Sequence, residues 1–242
     1  MEIGIIGCGR FGKLAVTYLS TDFKVFVFDR LNKIQVIKDL KAIHTSLEEV
    51  CSKDIIIICV PISKFKHVLK LIKPMIKKGS LVIDICSVKE YPVQLMKKLL
   101  PAHAQILATH PLFGPDSVQD TLAGRKIALC KVRIKPQLYR LIKKYLCGKG
   151  LVIIETTPKK HDKEIAQSLL LTQLIGRTLL SFGVSELSID TLGYKKLLEI
   201  VQTAKNDSWQ LFADMNQYNR YSEKIRHNLI EALVNTNKRI EQ

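Results

Sequence analysis

EIGIIGCGRFGKLAVTYLSTDFKVFVFDR, residues 2–30, is the stretch on which the fold turns. Residues 2–6 are an apolar run of strand length, 7–12 a glycine-rich turn, 13–20 an apolar-faced helix and 24–29 a second strand, so the chain opens as a β-α-β unit. The turn, Gly7-Cys8-Gly9-Arg10-Phe11-Gly12, fits G-x-G-x-x-G and lies directly between strand and helix. There the first glycine permits a tight turn, the second lets backbone N–H groups and the helix N-terminus approach a pyrophosphate, and the third lets helix and strand pack closely. Arg10 and Phe11, inside the turn, join the glycines as expected cofactor contacts. Asp29 closes the second strand about 17 residues beyond Gly12, where a carboxylate accepts hydrogen bonds from the adenine ribose and repels a 2′-phosphate. This favours NAD; the neighbouring Arg30 offsets the repulsion and leaves NADP open.

The alternation continues outward. Apolar strand runs recur at 55–60, 81–85, 105–109, 126–130 and 151–155, with helical spans at 64–73, 90–99 and 136–146. The pattern predicts an α/β fold: a Rossmann-type, doubly wound and mainly parallel sheet, with antiparallel pairing open for the later strands. After Pro158 the texture is helical throughout. The chain is therefore divided into a dinucleotide-binding Rossmann domain, 1–156, and an all-helical C-terminal domain, 157–242. The apolar faces at 165–180 and 194–201 exceed what so short a helical segment hides alone, which predicts a homodimer through these helices, the alternative being that they pack on the first domain.

Composition excludes several classes. With 242 residues, 47% hydrophobic and 25% charged, the chain is neither fibrous nor disordered nor a mini-protein. The net charge is +16, and residues 51–150 alone hold 19 basic and 5 acidic groups. These bases fall mainly where the polar faces of sheet-covering helices are expected, and no nucleic-acid module accompanies them, so nucleic acid is not an expected partner. The six cysteines form no C-x-x-C pair, which fits buried thiols in a reducing, cytoplasmic setting. No run of roughly 18 apolar residues occurs and no basic leader precedes the first strand, so neither a membrane nor export is expected. H-E-x-x-H and G-x-x-x-x-G-K-[ST] are absent, and no metal site is expected.

Three polar strand ends converge on the crevice where a doubly wound sheet binds its ligands. Val60 and Pro61 form cofactor walls. Residues 84–89, Asp-Ile-Cys-Ser-Val-Lys, and 109–115, Thr-His-Pro-Leu-Phe-Gly-Pro, end the next two strands. His110, held by Pro111 in what reads as a loop, suits a general base that must reach a substrate hydroxyl. Ser87 either orients that hydroxyl or caps the helix starting near Glu90, and Cys86 reads as packing.

Taken together, G-x-G-x-x-G, D-I-C-S-V-K, T-H-P-L-F-G-P and K-H-D at 160–162 resemble the prephenate and arogenate dehydrogenases of tyrosine biosynthesis. The stretch GYKKLLEIVQTAKNDS, 193–208, looks more like the arogenate-type members. The resemblance implies a Rossmann domain, a helical domain for substrate and dimerisation, and a nicotinamide cofactor that takes hydride from a cyclohexadienol ring as carbon dioxide leaves. It puts the catalytic base on His110 and the hydroxyl-binding serine on Ser87. It also marks departures: Gln202 stands where prephenate-specific relatives carry an arginine, and Gln173 where many have a substrate-contacting histidine. A substrate carboxylate then needs Arg177, Lys205, Lys89 or a partner-subunit arginine. His161 and Asp162 match an HD pair that either lines the substrate side or starts a helix. Arogenate and prephenate both remain open, as do another β-hydroxyacid-type dehydrogenase and a noncatalytic NAD-binding protein.

Overall fold

A computed structural model describes residues 1–118 and 121–241, and the chain divides into two units, Met1–Pro158 and Lys159–Gln242. The first unit carries strands β1 (Glu2–Ile6), β2 (Lys24–Phe28), β3 (Ile43–His44), β4 (Ile55–Ile58), β5 (Leu81–Asp84), β6 (Gln105–Pro111), β7 (Lys126–Arg133) and β8 (Val152–Glu155). They form an 8-stranded sheet in the order β3-β2-β1-β4-β5-β6-β7-β8. The ladders are parallel except β6 with β7, so the last two strands run against the first six. Every residue of Ile55–Ile58 is buried, the expected result of covering a parallel sheet on both faces.

The covering helices are α1 (Arg10–Leu19), α2 (Ile34–Asp39), α3 (Leu47–Cys51), α4 (Ile62–Ile72), α5 (Glu90–Leu99) and α6 (Pro136–Gly148). From β1 the chain moves to β2 and β3 on one side, then returns to pair β4 on the other side of β1. That reversal puts the ligand crevice at the C-terminal ends of β1 and β4.

Register assigns the faces. Ile58, Asp84 and Ala108 pair across β4, β5 and β6 and share one face, whereas Ile57, Ile83 and Leu107 share the other. His110 follows Ala108 by two positions and lies on the Asp84 face. On the opposite face, Leu14, Tyr18, Leu138 and Ile142 of α1 and α6 surround a cavity of about 200 Å³ with an almost wholly apolar lining.

The second unit holds α7 (Pro158–Ile165), a π-helical turn (Ala166–Leu170), α8 (Leu171–Phe182), α9 (Leu192–Asn206), α10 (Trp209–Tyr218) and α11 (Ser222–Ile240). Pro158 opens α7, where its missing N–H is harmless. Gly183 ends α8 in the left-handed region at φ 92°. Gly176 has a packing role: an added Cβ would lie 2.6 Å from Ala204 Cβ and 2.8 Å from the Ile200 carbonyl oxygen, so α8 and α9 touch through it. No helix among the described residues is long and apolar enough to cross a membrane.

Gly176→Val is expected to cost about 2–3 kcal/mol by forcing α8 from α9. Gly193→Ala, whose added Cβ meets nothing closer than 3.8 Å, should be neutral or stabilising. Thermal midpoints of the two variants check the contrast.

Candidate active site

The turn after β1 is built by close approach. Gly7 has φ +98°, and a Cβ on it would lie 2.4 Å from the Cys59 carbonyl oxygen; one on Gly12 would lie 2.3 Å from the Gly7 carbonyl oxygen. Neither position admits a side chain. Gly9 differs: a Cβ there meets no heavy atom within 4 Å. Gly9 caps α1 without a side-chain bond, so the helix start presents backbone N–H groups and positive dipole to an approaching anion. A dinucleotide pyrophosphate fits this cradle. Val60 borders the turn through its Cγ1, 3.2 Å from the Cβ position of Gly7, and Pro61 caps α4.

Asp29 anchors the turn from β2. Its Oδ2 accepts from the Cys8 N–H at 2.7 Å and from Lys33 Nζ at 3.0 Å, and its Oδ1 accepts from the Leu31 N–H at 2.9 Å. Burial pushes this carboxyl up, but the Leu31 and Cys8 N–H groups and the Lys33 ammonium outweigh it and hold it below the ordinary value. The carboxylate anchor is therefore complete at neutral pH and lost only as pH falls through that depressed value. A carboxylate offers about four lone-pair sites, so capacity remains for a ribose hydroxyl. Lys33, which also donates to the Cys8 carbonyl at 2.9 Å, escaped the sequence reading. It lies four positions after Asp29, but in a loop, where that spacing carries no signal. Arg30 is exposed.

Arg10 turns toward the segment after β6: its Nη2 lies 2.7 and 2.6 Å from the Asp116 carboxylate oxygens, in a pair about half exposed. The Phe11 and Phe113 rings meet at 6.1 Å. These contacts join the glycine turn to the segment that follows His110.

His110 is 4% exposed and belongs to β6, opposite Ala128 of β7; it is a strand residue rather than a loop residue. Ser87 is half-buried, and the cap of α5 is Lys89 with no side-chain cap bond, so the capping role drops away from Ser87. Lys89 is one of the cations expected to meet a substrate carboxylate. It and Asp84 are both 0% exposed, and its ammonium donates to Asp84 Oδ1 and to the Thr109 carbonyl. The cation is committed inside the strand edge and is not presented to a substrate carboxylate. Burial pushes the Asp84 carboxyl upward against the pull of Lys89.

In the helical unit, His161 and Asp162 are buried, with His161 Nδ1 2.8 Å from Asp162 Oδ1, and the Asp162 carbonyl accepts from Asn219 Nδ2 at 2.8 Å. Gln173, 1% exposed, donates through Nε2 to Asp207 Oδ2 at 2.7 Å, while its Oε1 has no partner. Arg177 donates to the carbonyls of Asp207 and Ser208 and lies over the Trp209 and Phe212 rings. It braces the α9–α10 junction. Gln202 is exposed and donates to Asn206 Oδ1. Among the described residues no group of three or more His, Cys, Asp or Glu could hold a metal ion.

The family model for the nucleotide-binding domain of prephenate dehydrogenase matches residues 16–155. The chain belongs to the prephenate/arogenate dehydrogenase family. A TYRAAT1-like C-terminal domain matches residues 178–242. Among curated relatives, this family member is 30% identical over 229 residues to arogenate dehydrogenase 2, chloroplastic, of Arabidopsis thaliana, which covers 90% of the chain and 64% of that protein. It is 24% identical over 248 residues to a probable arogenate/prephenate dehydrogenase of Methanocaldococcus jannaschii, covering 95% of the chain and 54% of that protein. The chain thus spans less than two thirds of these relatives. Prephenate dehydrogenase from A. aeolicus, in complex with hydroxyphenyl propionate and NAD+, superposes with TM-score 0.79 at 20% identity over 99% of this chain and 90% of that one. Synechocystis arogenate dehydrogenase gives 0.71 at 18% over 100% and 92%. Both share the fold.

Gly12→Ala is expected to lower the thermal midpoint sharply, by about 2–3 kcal/mol of stability. Gly9→Ala should keep the wild-type midpoint yet weaken dinucleotide binding about tenfold or more, because its methyl occupies the cradle. Calorimetric melting and titration with NAD separate the two effects.

Proposed function

We propose that this chain oxidatively decarboxylates arogenate or prephenate, passing hydride to NAD and giving tyrosine or 4-hydroxyphenylpyruvate with carbon dioxide. The observation that carries the reading is the strand edge of a prephenate/arogenate dehydrogenase family member, where the His110 strand and the Ser87 segment are tied together beside a glycine turn that fits a pyrophosphate. Gly7, Gly9, Gly12, Arg10, Phe11, Asp29, Val60 and Pro61 would hold the cofactor, which supplies the hydride acceptor. Lys33 partly neutralises Asp29 and, with Arg30, softens discrimination against a 2′-phosphate, so NAD is the first choice and NADP the second.

His110 accepts the proton of the ring hydroxyl as that carbon becomes carbonyl-like, and Ser87 orients the hydroxyl. Burial of His110 keeps competing water from the base. Gln173 and Gln202, neither of which can form a salt bridge, tilt the substrate toward arogenate over its keto counterpart. With Lys89 and Arg177 engaged internally, Lys205, exposed on α9, and a partner-subunit arginine remain as cations for a substrate carboxylate. His161 and Asp162 would line or organise the substrate side of the cleft. The free cysteines fit a reducing compartment such as the cytoplasm.

His110→Asn is expected to bind NAD as wild type does and to lose about a hundredfold or more in turnover; near wild-type cofactor reduction with arogenate and prephenate would remove the base from this role.

We further infer a homodimer through the helical unit. Phe182, Leu192, Ile230 and Leu233 are 83%, 72%, 58% and 58% exposed, more apolar surface than a lone unit carries without use. Light scattering after gel filtration should give twice 27.5 kDa, and Ile230→Glu/Leu233→Glu should give the monomer. A wild-type monomer at micromolar concentration contradicts it.

A further inference from the structure

Resting on that reading of Ser87 and His110, we propose that Asp84 and Lys89 are positioning residues that clamp the ends of β5 and β6 together and so hold Ser87 beside His110. The parallel ladder between these strands ends at Asp84↔Ala108, while β6 continues to Pro111 on its β7 side alone. Beyond Ala108, side chains take over from the ladder. The Lys89 ammonium spans from Asp84 Oδ1 to the Thr109 carbonyl. Thr109 Oγ1 returns a bond to the Asp84 carbonyl at 2.8 Å, and the Cys86 N–H donates to Asp84 Oδ1 at 3.0 Å.

These bonds bracket the chemistry on both sides. Thr109 immediately precedes His110, and Cys86 immediately precedes Ser87, with Lys89 closing that loop from its other end. A stability device would not need charge here, since apolar residues of similar volume replace buried ion pairs without loss in many proteins. What charge adds is direction: an ammonium selects one carboxylate oxygen and one carbonyl, and fixes two backbones relative to each other. The other carboxylate oxygen, Asp84 Oδ2, is buried without a partner, so the pair is arranged around the carbonyl it reaches rather than around complete satisfaction of the acid.

Three variants of the full chain test the clamp. Lys89→Met leaves a buried carboxylate without its cation and lowers the thermal midpoint. Asp84→Leu/Lys89→Met restores that midpoint to near wild type, yet loses about tenfold or more in kcat, with KM and cofactor affinity changed less than about threefold. Thr109→Val, which removes only the hydroxyl bond, loses about threefold in kcat. Amide hydrogen exchange rises in the double variant at 84–89 and 108–113 and keeps its wild-type rate at 2–6 and 55–58. A stable double variant with wild-type kcat overturns the proposal, as does unchanged exchange at the two segments. If the double variant does not fold, Thr109→Val decides by the same two readouts. Exchange needs no turnover, so a wild-type chain that reduces no cofactor with either cyclohexadienol sinks the proposed function and leaves the clamp to be judged by exchange.

Discussion

The closeness of α1 to the ends of β1 and β4 is the constraint on which the rest depends. At Gly7 and Gly12 a single added carbon would lie within 2.4 Å of a carbonyl oxygen, so the strand-to-helix turn can be this tight only without side chains. Because α1 starts so close to the sheet, its N-terminal N–H groups lie at the strand ends, and the open Gly9 leaves them accessible to an anion. Asp29 then reinforces the turn from the adjacent strand through Cys8. A tight glycine turn, an open Gly9 and a carboxylate at the end of β2 together make a site that accepts phosphate on one side and ribose on the other.

The second requirement is electrostatic and lies two strands away. Exposed pairs such as Arg10–Asp116 contribute little, about 0–1 kcal/mol. The Asp84–Lys89 pair is of another kind, since breaking a buried pair by removing one partner commonly costs about 3–5 kcal/mol. Its value lies in geometry. A base and an orienting hydroxyl on different strands, the roles we propose for His110 and Ser87, need a common reference, and the β5–β6 ladder ends at Asp84 and Ala108, before either residue.

Much of this was legible in the sequence because it is local. The glycine turn, the apolar runs of β1, β4 and β5, and the change of texture after Pro158 follow from periodicity and from residue types with few alternatives. What was missed depends on partners distant in sequence or on elements too short to show a period. β3 is 2 residues long, and α2 and α3 are 6 and 5. His110 read as a loop residue because β6 is extended to Pro111 by pairing with β7, which no local pattern encodes. Lys89 read as a candidate for the substrate carboxylate because no local pattern encodes its bonds to Asp84 and to the Thr109 carbonyl. Arg177 was expected at the substrate, and its bonds to the Asp207 and Ser208 carbonyls come from the packing of α8 against the α9–α10 junction.

The central claim is that hydride transfer and loss of the ring carboxylate occur as one reaction on this strand edge. It is tested most directly by supplying NAD with arogenate, and separately prephenate, labelled at the ring carboxylate, and counting labelled carbon dioxide against reduced cofactor. The account predicts a one-to-one ratio with at least one of the two substrates. Cofactor reduced without labelled carbon dioxide, or no reduction with either substrate, would contradict it.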